Sequence, residues 1–116
     1  MSFFNAADYS WHEPPGHTRG FSQYLINPDN SSSRNLDFRV SRYPPQGRVD
    51  LHEHATAEHV YLIISGLGVA ELGDESGELG PGTFFFVPPG VPHSVTSTGP
   101  DDLVFVLVTS PPDLPR

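Results

Sequence analysis

The sequence lacks cysteine and has few basic residues, and each shortage excludes a class of function. With no cysteine among its 116 residues, the chain has no disulfide bond, no thiolate metal site and no cysteine nucleophile. Six Lys and Arg stand against 14 Asp and Glu, which gives a formal net charge of -8 at pH 7. Because nucleic acids and anionic membrane surfaces attract basic surfaces, this composition argues against both as partners.

Long apolar runs and helical periodicity are also lacking. No stretch approaches the roughly 20 apolar residues that a membrane helix needs. The N-terminus has neither the basic start nor the apolar run of a signal peptide. We therefore expect a soluble, cytoplasmic protein that folds as one domain and buries roughly two-thirds of its unfolded surface.

What the chain does contain is turn residues between short apolar runs. Thirteen prolines and eleven glycines separate β-branched and aromatic segments, a pattern typical of a β-sandwich or barrel. The polar segment "GDESGE" is predicted to be a hairpin tip. Two runs, "TFFFV" and "LVFVLVT", are continuously apolar, which predicts strands covered on both faces. The predicted strands are Phe21–Ile26, Leu36–Tyr43, His59–Ile64, Gly68–Leu72, Thr83–Val87, His93–Thr96 and Leu103–Thr109.

Four of the six histidines are spaced so that they can converge inside such a barrel. His52 and His54 are two residues apart and would share one face of a strand. His59 opens the next apolar strand, and His93 follows a Pro-Gly turn. Since neutral imidazole is a common ligand of transition metals, the pattern predicts one metal ion. The remaining two histidines lie near the N-terminus and are not predicted to be ligands: His12 and His17.

Two motifs around these histidines resemble those of the cupin family. The resemblance spans residues 47–97 and implies an all-β fold, the cupin double-stranded β-helix or jelly-roll barrel. The gap between Gly47 and His52 is one residue shorter than in the family, and Ser97 stands at the last position of the second motif, where the family has Asn. The first motif is Gly47, four residues, His52-Glu53-His54, "ATAE", His59, "VYLIIS" and Gly66; the second is Gly82, "TFFFV", Pro88-Pro89-Gly90, "VP", His93, "SVT" and Ser97.

This resemblance divides the chain into three parts. Residues 1–20 are predicted to form an N-terminal arm, residues 21–110 the barrel domain and residues 111–116 a C-terminal tail. Exposed strand edges and the arm predict a homodimer.

The resemblance leaves two candidates for the fourth metal ligand. Cupins usually place a glutamate six residues before the last glycine of the first motif, and His59 occupies that place here. A looser spacing would allow Glu58, and adjacent strand residues cannot both face inward. The six-residue count to Gly66 favours His59. The predicted site is therefore one divalent transition metal (Fe, Mn, Cu, Ni, Co or Zn) held by His52, His54, His59 and His93.

A pocket follows from this register by alternation along the strands. It would be apolar and aromatic, with little fixed charge. Tyr61 is a candidate proton donor, although an inward tyrosine more often packs. The predicted pocket residues are Tyr61, Ile63, Phe84 and Phe86, and the nearby arginines are interpreted as solvated: Arg39, Arg42 and Arg48.

Cupins with three or four histidine ligands include dioxygenases, oxygenases that cleave carbon–carbon bonds and polyketide cyclases. The resemblance thus implies a metal-dependent enzyme, and a dioxygenase or other oxygenase acting on a small apolar or aromatic substrate is the first hypothesis. The alternatives are a non-redox Lewis-acid enzyme, such as a cyclase, isomerase or lyase, and a non-catalytic protein that binds metal or ligand.

Overall fold

The structure, a computed structural model, describes residues 3–112 and is built almost entirely of β-strands. One short 3-10 helix, Ala6–Asp8, precedes them. Among the described residues, no helix is long and apolar enough to cross a membrane. The strands are β1 (His17–Thr18), β2 (Phe21–Ile26), β3 (Asp37–Tyr43), β4 (Arg48–His52), β5 (Glu58–Ser65), β6 (Gly68–Leu72), β7 (Glu75–Leu79), β8 (Phe84–Val87), β9 (His93–Ser97) and β10 (Leu103–Ser110).

The strands form two five-stranded antiparallel sheets, with orders β1-β4-β9-β6-β7 and β2-β3-β10-β5-β8. The chain changes sheet repeatedly, as at β4 to β5 and β5 to β6, so the two sheets are walls of one barrel. The core draws on both sheets, and this confirms the all-β jelly-roll prediction. The core residues are Tyr43, Val49, Tyr61, Ile63, Ala70, Leu79, Val87, Val95, Leu103 and Phe105.

Each of the seven predicted runs is a strand in the structure, with ends that agree to within one residue. Strands β1 and β7 were not predicted, because they are short or mostly polar, and β4 was predicted only as the strand that carries His52, without bounds. Strand β7 lies in the predicted hairpin tip: Leu72 pairs with Glu75, so only Gly73 and Asp74 form the turn.

The apolar run in β8 is not covered on both faces, which corrects that prediction for this strand, whereas every residue of β10 is buried or half-buried. Phe84 is 72% exposed and Phe86 is 49% exposed on the outer face of the second sheet, whereas Phe85 packs inward. Because successive side chains of a strand alternate, a register that buries Phe85 and Val87 leaves their neighbours outside. The prediction that Phe84 and Phe86 line the pocket is therefore wrong.

Part of the predicted N-terminal arm packs against the barrel. The Gln23 side chain donates hydrogen bonds to the carbonyls of Ala6 and Tyr9, at 2.7 and 3.0 Å. Strand β1 pairs with β4, and this brings Gly16 and His17 to the wall of an interior cavity. Residues 1–2 of the arm and 113–116 of the predicted tail lie outside the described residues.

Candidate metal centre

The four predicted histidines meet between the two sheets. His52 ends β4 and lies directly opposite His93, the first residue of β9. His59 is the second residue of β5, in the other sheet. His54 lies just beyond the end of β4, in the connection to β5, and not on the same strand as His52. Both sheets and one connection therefore contribute to a single cluster.

The imidazole rings of this histidine cluster are in contact. The candidate ligand nitrogens of His52, His54 and His93 lie within 4.8 Å of one another. The His59 ring centroid is 4.5 Å from that of His54 and 5.1 Å from that of His93. Glu58, the alternative ligand, is exposed on the opposite face of β5. The structure thus places His59, and not Glu58, beside the closest three histidines.

Hydrogen bonds on Nδ1 fix the orientation of three of these rings. The Nδ1–H of His52 donates to the Asp50 carbonyl at 2.6 Å, and that of His93 donates to the Val91 carbonyl at 2.9 Å. Because a carbonyl oxygen only accepts, both rings carry their proton on Nδ1. In His59, Nδ1 is 2.7 Å from the Thr109 hydroxyl. His52 and His93 therefore have Nε2 available as a lone-pair donor, and His59 has the same form when its Nδ1–H donates to the Thr109 hydroxyl.

The Nε2 atoms fit a bound metal ion. Within the part of the chain that the structure describes, Nε2 of His59 and Nε2 of His93 are buried and have no hydrogen-bond partner. Buried polar atoms are almost always paired, so two such nitrogens in one cluster require an explanation. A transition-metal ion ligated by Nε2, with Nδ1 held by an oxygen, is the usual arrangement of metal-binding histidines.

Electrostatics keep these imidazoles in the neutral form that ligation requires. Burial lowers the pKa of His59 to about 3, and the neighbouring His54 and His93 contribute to the decrease. Burial also lowers the pKa of His93 to about 4, against the opposing effect of its hydrogen bond to Val91. Both rings are thus neutral near pH 7, and a metal ion has no proton to displace from them.

Thr109 is expected to control metal affinity through His59. Thr109→Val keeps the branched shape in β10 and removes the hydroxyl that contacts Nδ1, so the ring loses the hydrogen bond that orients it. We expect metal affinity to fall by about 10- to 100-fold, measured by competition with a chelator. Thr109→Ser, which retains a hydroxyl, is the matched control. Equal affinity of the valine and serine variants would contradict a positioning role for this hydroxyl.

A cavity of about 470 Å³ adjoins the cluster and is lined in part by His52, His54 and His59. Tyr61 lies in its wall, stacked on Phe85 with ring centroids 4.5 Å apart. Burial raises the pKa of Tyr61 above its ordinary value, so its hydroxyl keeps its proton. Ile63 faces inward but belongs to the packed core, not to the cavity wall.

Polar residues that the sequence interpretation missed form much of the remaining wall. Arg39 was expected to be solvated, yet it is 8% exposed and forms an ion pair with Asp37, which is 1% exposed. Beside this pair, the buried hydroxyls of Ser22 and Ser41 are 2.8 Å apart. Alternation along β3 groups Asp37, Arg39 and Ser41 on one face, but nothing in their polarity marks that face as inward. The cavity is therefore partly polar and not purely apolar and aromatic.

Comparison with protein families gives one match over most of the barrel. A family model described as "Cupin domain" matches residues 39–109, which is more than half of the chain. An uncharacterized protein of Methanocaldococcus jannaschii is 32% identical over 69 residues. That match covers 60% of this chain, and the chain spans about half (55%) of the length of that relative.

Solved structures show the same fold. A predicted oxalate decarboxylase from Thermotoga maritima has a TM-score of 0.85 and 22% identity, and the match covers 96% of this chain and 100% of that one. The polyketide cyclase RemF from Streptomyces resistomycificus also has a TM-score of 0.85, with 23% identity over 99% of this chain and 82% of that one. At these identities the likeness concerns the fold alone.

Proposed function

The chain belongs to the cupin family, and from that premise we propose that it is a metal-dependent enzyme acting on a small, oxygen-bearing substrate. The observation that carries the proposal is the hydrogen bonding of three of the histidines. Nδ1 of His52, His59 and His93 contacts an oxygen, while Nε2 of His59 and His93 is buried and has no partner among the described residues. Histidines on the surface can hydrogen-bond to water through both ring nitrogens, so they do not require a metal ion to satisfy a buried Nε2. Together with the ring contacts of His54, this hydrogen bonding supports the predicted ligand set: His52, His54, His59 and His93.

Each part of the cavity has a role in this proposal. A divalent Fe, Mn, Cu, Ni, Co or Zn ion in the cluster would supply Lewis acidity and, if redox-active, electron transfer with dioxygen. Four neutral imidazoles leave the full double positive charge in place, which favours anionic oxygen ligands. Tyr61 retains its proton, so its hydroxyl would donate a hydrogen bond to bound substrate. Val49 and Leu107 provide apolar wall against the carbon skeleton of a substrate.

An oxygenase is the first reaction class that we propose. An all-imidazole ligand set suits redox-active transition metals better than Mg or Ca. The aromatic and aliphatic part of the wall suits a small substrate with an apolar portion, as the sequence interpretation expected. The polar part of the wall, however, requires that this substrate also carry polar groups.

A non-redox Lewis-acid enzyme, such as a cyclase, isomerase or lyase, is the second candidate. The observation that favours it is the buried Asp37–Arg39 pair in the cavity wall, because fixed charges beside a substrate stabilise charge that develops in a reaction without oxidation. The similar fold of a polyketide cyclase agrees with this class without establishing it.

Metal analysis followed by oxygen uptake tests both candidates. We expect the protein, purified without a histidine tag or added metal, to contain about one transition-metal ion per chain. An oxygenase would consume dioxygen with aromatic or dicarbonyl compounds and lose turnover when reconstituted with zinc. A Lewis-acid enzyme would keep its turnover with zinc and without oxygen. A chain that takes up no metal would contradict the proposal, and a metal-loaded chain that binds compounds without converting them would indicate a binding protein.

A further inference from the structure

The Asp37–Arg39 pair is held more rigidly than most ion pairs. Both side chains lie on the inward face of β3. The Nε and one Nη of Arg39 donate to the two carboxylate oxygens of Asp37, each at 2.9 Å. The guanidinium also lies over the Tyr24 ring, 4.7 Å from its centroid. One edge and one face of the guanidinium are therefore fixed, and its orientation is set before any ligand arrives.

A buried ion pair is a poor device for stability alone. Removing two charges from water costs several kcal/mol each, roughly as much as their mutual attraction returns. An apolar pair on the same strand would serve the core as well. A buried ion pair in a cavity wall is thus better explained by a ligand than by packing.

The position of Arg39 relative to the histidine cluster is set by strand register. Arg39 pairs with Leu107 of β10, which in turn pairs with Tyr61 of β5. Tyr61 is the next inward residue after His59. Two strand spacings separate Arg39 from Tyr61, a distance of about 10 Å between backbones. Arg39 and three of the histidines therefore line one cavity, with Arg39 two strands away from the strand that carries His59.

We propose that Arg39 binds a carboxylate of the substrate, with Asp37 as the residue that positions it. Asp37 accepts hydrogen bonds from the side of the guanidinium formed by Nε and one Nη. The end formed by the two Nη atoms would donate to the carboxylate of the substrate. The substrate class is a small dicarboxylate, whose second carboxylate lies at the histidine cluster, where four neutral imidazoles favour an anionic oxygen ligand. This inference rests on the proposed function for that second contact.

The test compares dicarboxylates with their monoamides. Calorimetric titrations of the metal-containing protein use dicarboxylates from oxalate to adipate, each beside the monoamide of the same length. The monoamide can place its single carboxylate at the cluster or at Arg39, so in either orientation it loses one of the two charged contacts. For at least one chain length we expect the dicarboxylate to bind about tenfold more tightly or better. Absence of a preference at every length would overturn the proposal.

Variants then locate the preference. Asp37→Asn combined with Arg39→Gln removes both charges without leaving a buried unpaired carboxylate, and we expect the preference to fall to about threefold or less. Arg42→Gln, on the opposite face of β3, is the matched control and is expected to keep it. If the double variant does not fold, Arg39→Lys, which keeps the charge but not the fork, is expected to weaken the preference severalfold. A dicarboxylate preference that survives in full in the double variant, or in Arg39→Lys, would overturn the proposal.

Metal content separates this inference from the function on which it rests. Asp37 and Arg39 are not ligands, so we expect each folded variant to contain as much metal as the unmodified protein. A metal-containing protein without a dicarboxylate preference would refute the role of Arg39 and leave the proposed function intact. A protein without metal that still shows an Arg39-dependent preference would refute the proposed function and leave the role of Arg39 intact.

Discussion

Replacing His59 with alanine is expected to lower metal affinity by more than about 100-fold, whereas Glu58→Gln leaves it unchanged. The loss of a ligand costs more than the 10- to 100-fold decrease that follows the loss of a ligand's hydrogen-bond partner. His59 is buried beside His54 and His93, and its Nε2 has no other partner in the described structure. Glu58, one residue earlier, is exposed. Elemental analysis and chelator competition measure both variants.

His59 and Glu58 are adjacent on β5 and face opposite sides of the strand, so only one of the two variants is expected to lose metal. Circular dichroism of both proteins controls for folding. His54→Ala, in the connection after β4, is expected to lose most of its metal as well. Loss of metal from Glu58→Gln, together with its retention in His59→Ala, would mean that the carboxylate is the fourth ligand and that β5 is shifted by one residue.

Gly66→Ala is expected to lower the free energy of unfolding by about 2–4 kcal/mol, from the strain of a positive φ angle and from overpacking. Gly66 follows β5 with a φ of +86°, a conformation that side chains disfavour. A Cβ there would collide with the Asp102 carbonyl oxygen and lie 2.7 Å from Cα of Leu103. Both obstacles are backbone, so neither can rotate away. Urea unfolding measures the change.

Gly77→Ala is the control for this prediction. Gly77 lies in β7, and a Cβ there would meet no atom within 4 Å. We expect its free energy of unfolding to stay within about 1 kcal/mol of the unmodified protein. Equal stabilities of the two variants would show that the turn after β5 can relax, and that Gly66 does not determine how this strand ends.

The fold and the histidine cluster could be predicted from the sequence because both depend on short-range patterns. Turn residues delimit the strands, so Phe21–Ile26 and Gly68–Leu72 were predicted with the ends that the structure shows. The spacing from His59 to Gly66 determines which residues of β5 face inward. His52 and His54 were predicted on one strand, but β4 ends at His52. They still converge, because the connection after β4 holds the His54 ring centroid 4.9 Å from that of His52 and 4.5 Å from that of His59.

The cavity wall could not be predicted in the same way, because polar side chains face inward there and apolar side chains face outward. In β3 the inward face carries Asp37 and Arg39, while Phe38 and Val40 lie on the outer face. In β8 the more exposed aromatic residue is Phe84. A pattern rule that places apolar side chains inside fails where a barrel wall is built around a polar cavity. Only the pairing of strands across the sheet identifies the inward face.

The distribution of the four histidines over both sheets has a consequence for the folding of the chain. His52 and His93 belong to one sheet and His59 to the other, and the segment between His52 and His93 contains β5 to β8. An ion bound by all four would connect the two sheets, and because the unfolded chain does not preform the site, its binding free energy would add to the stability of the folded state. In a sequence without cysteine, the metal would thus hold the two sheets together, as a disulfide bond does in other proteins. Separating the sheets would require release of the ion.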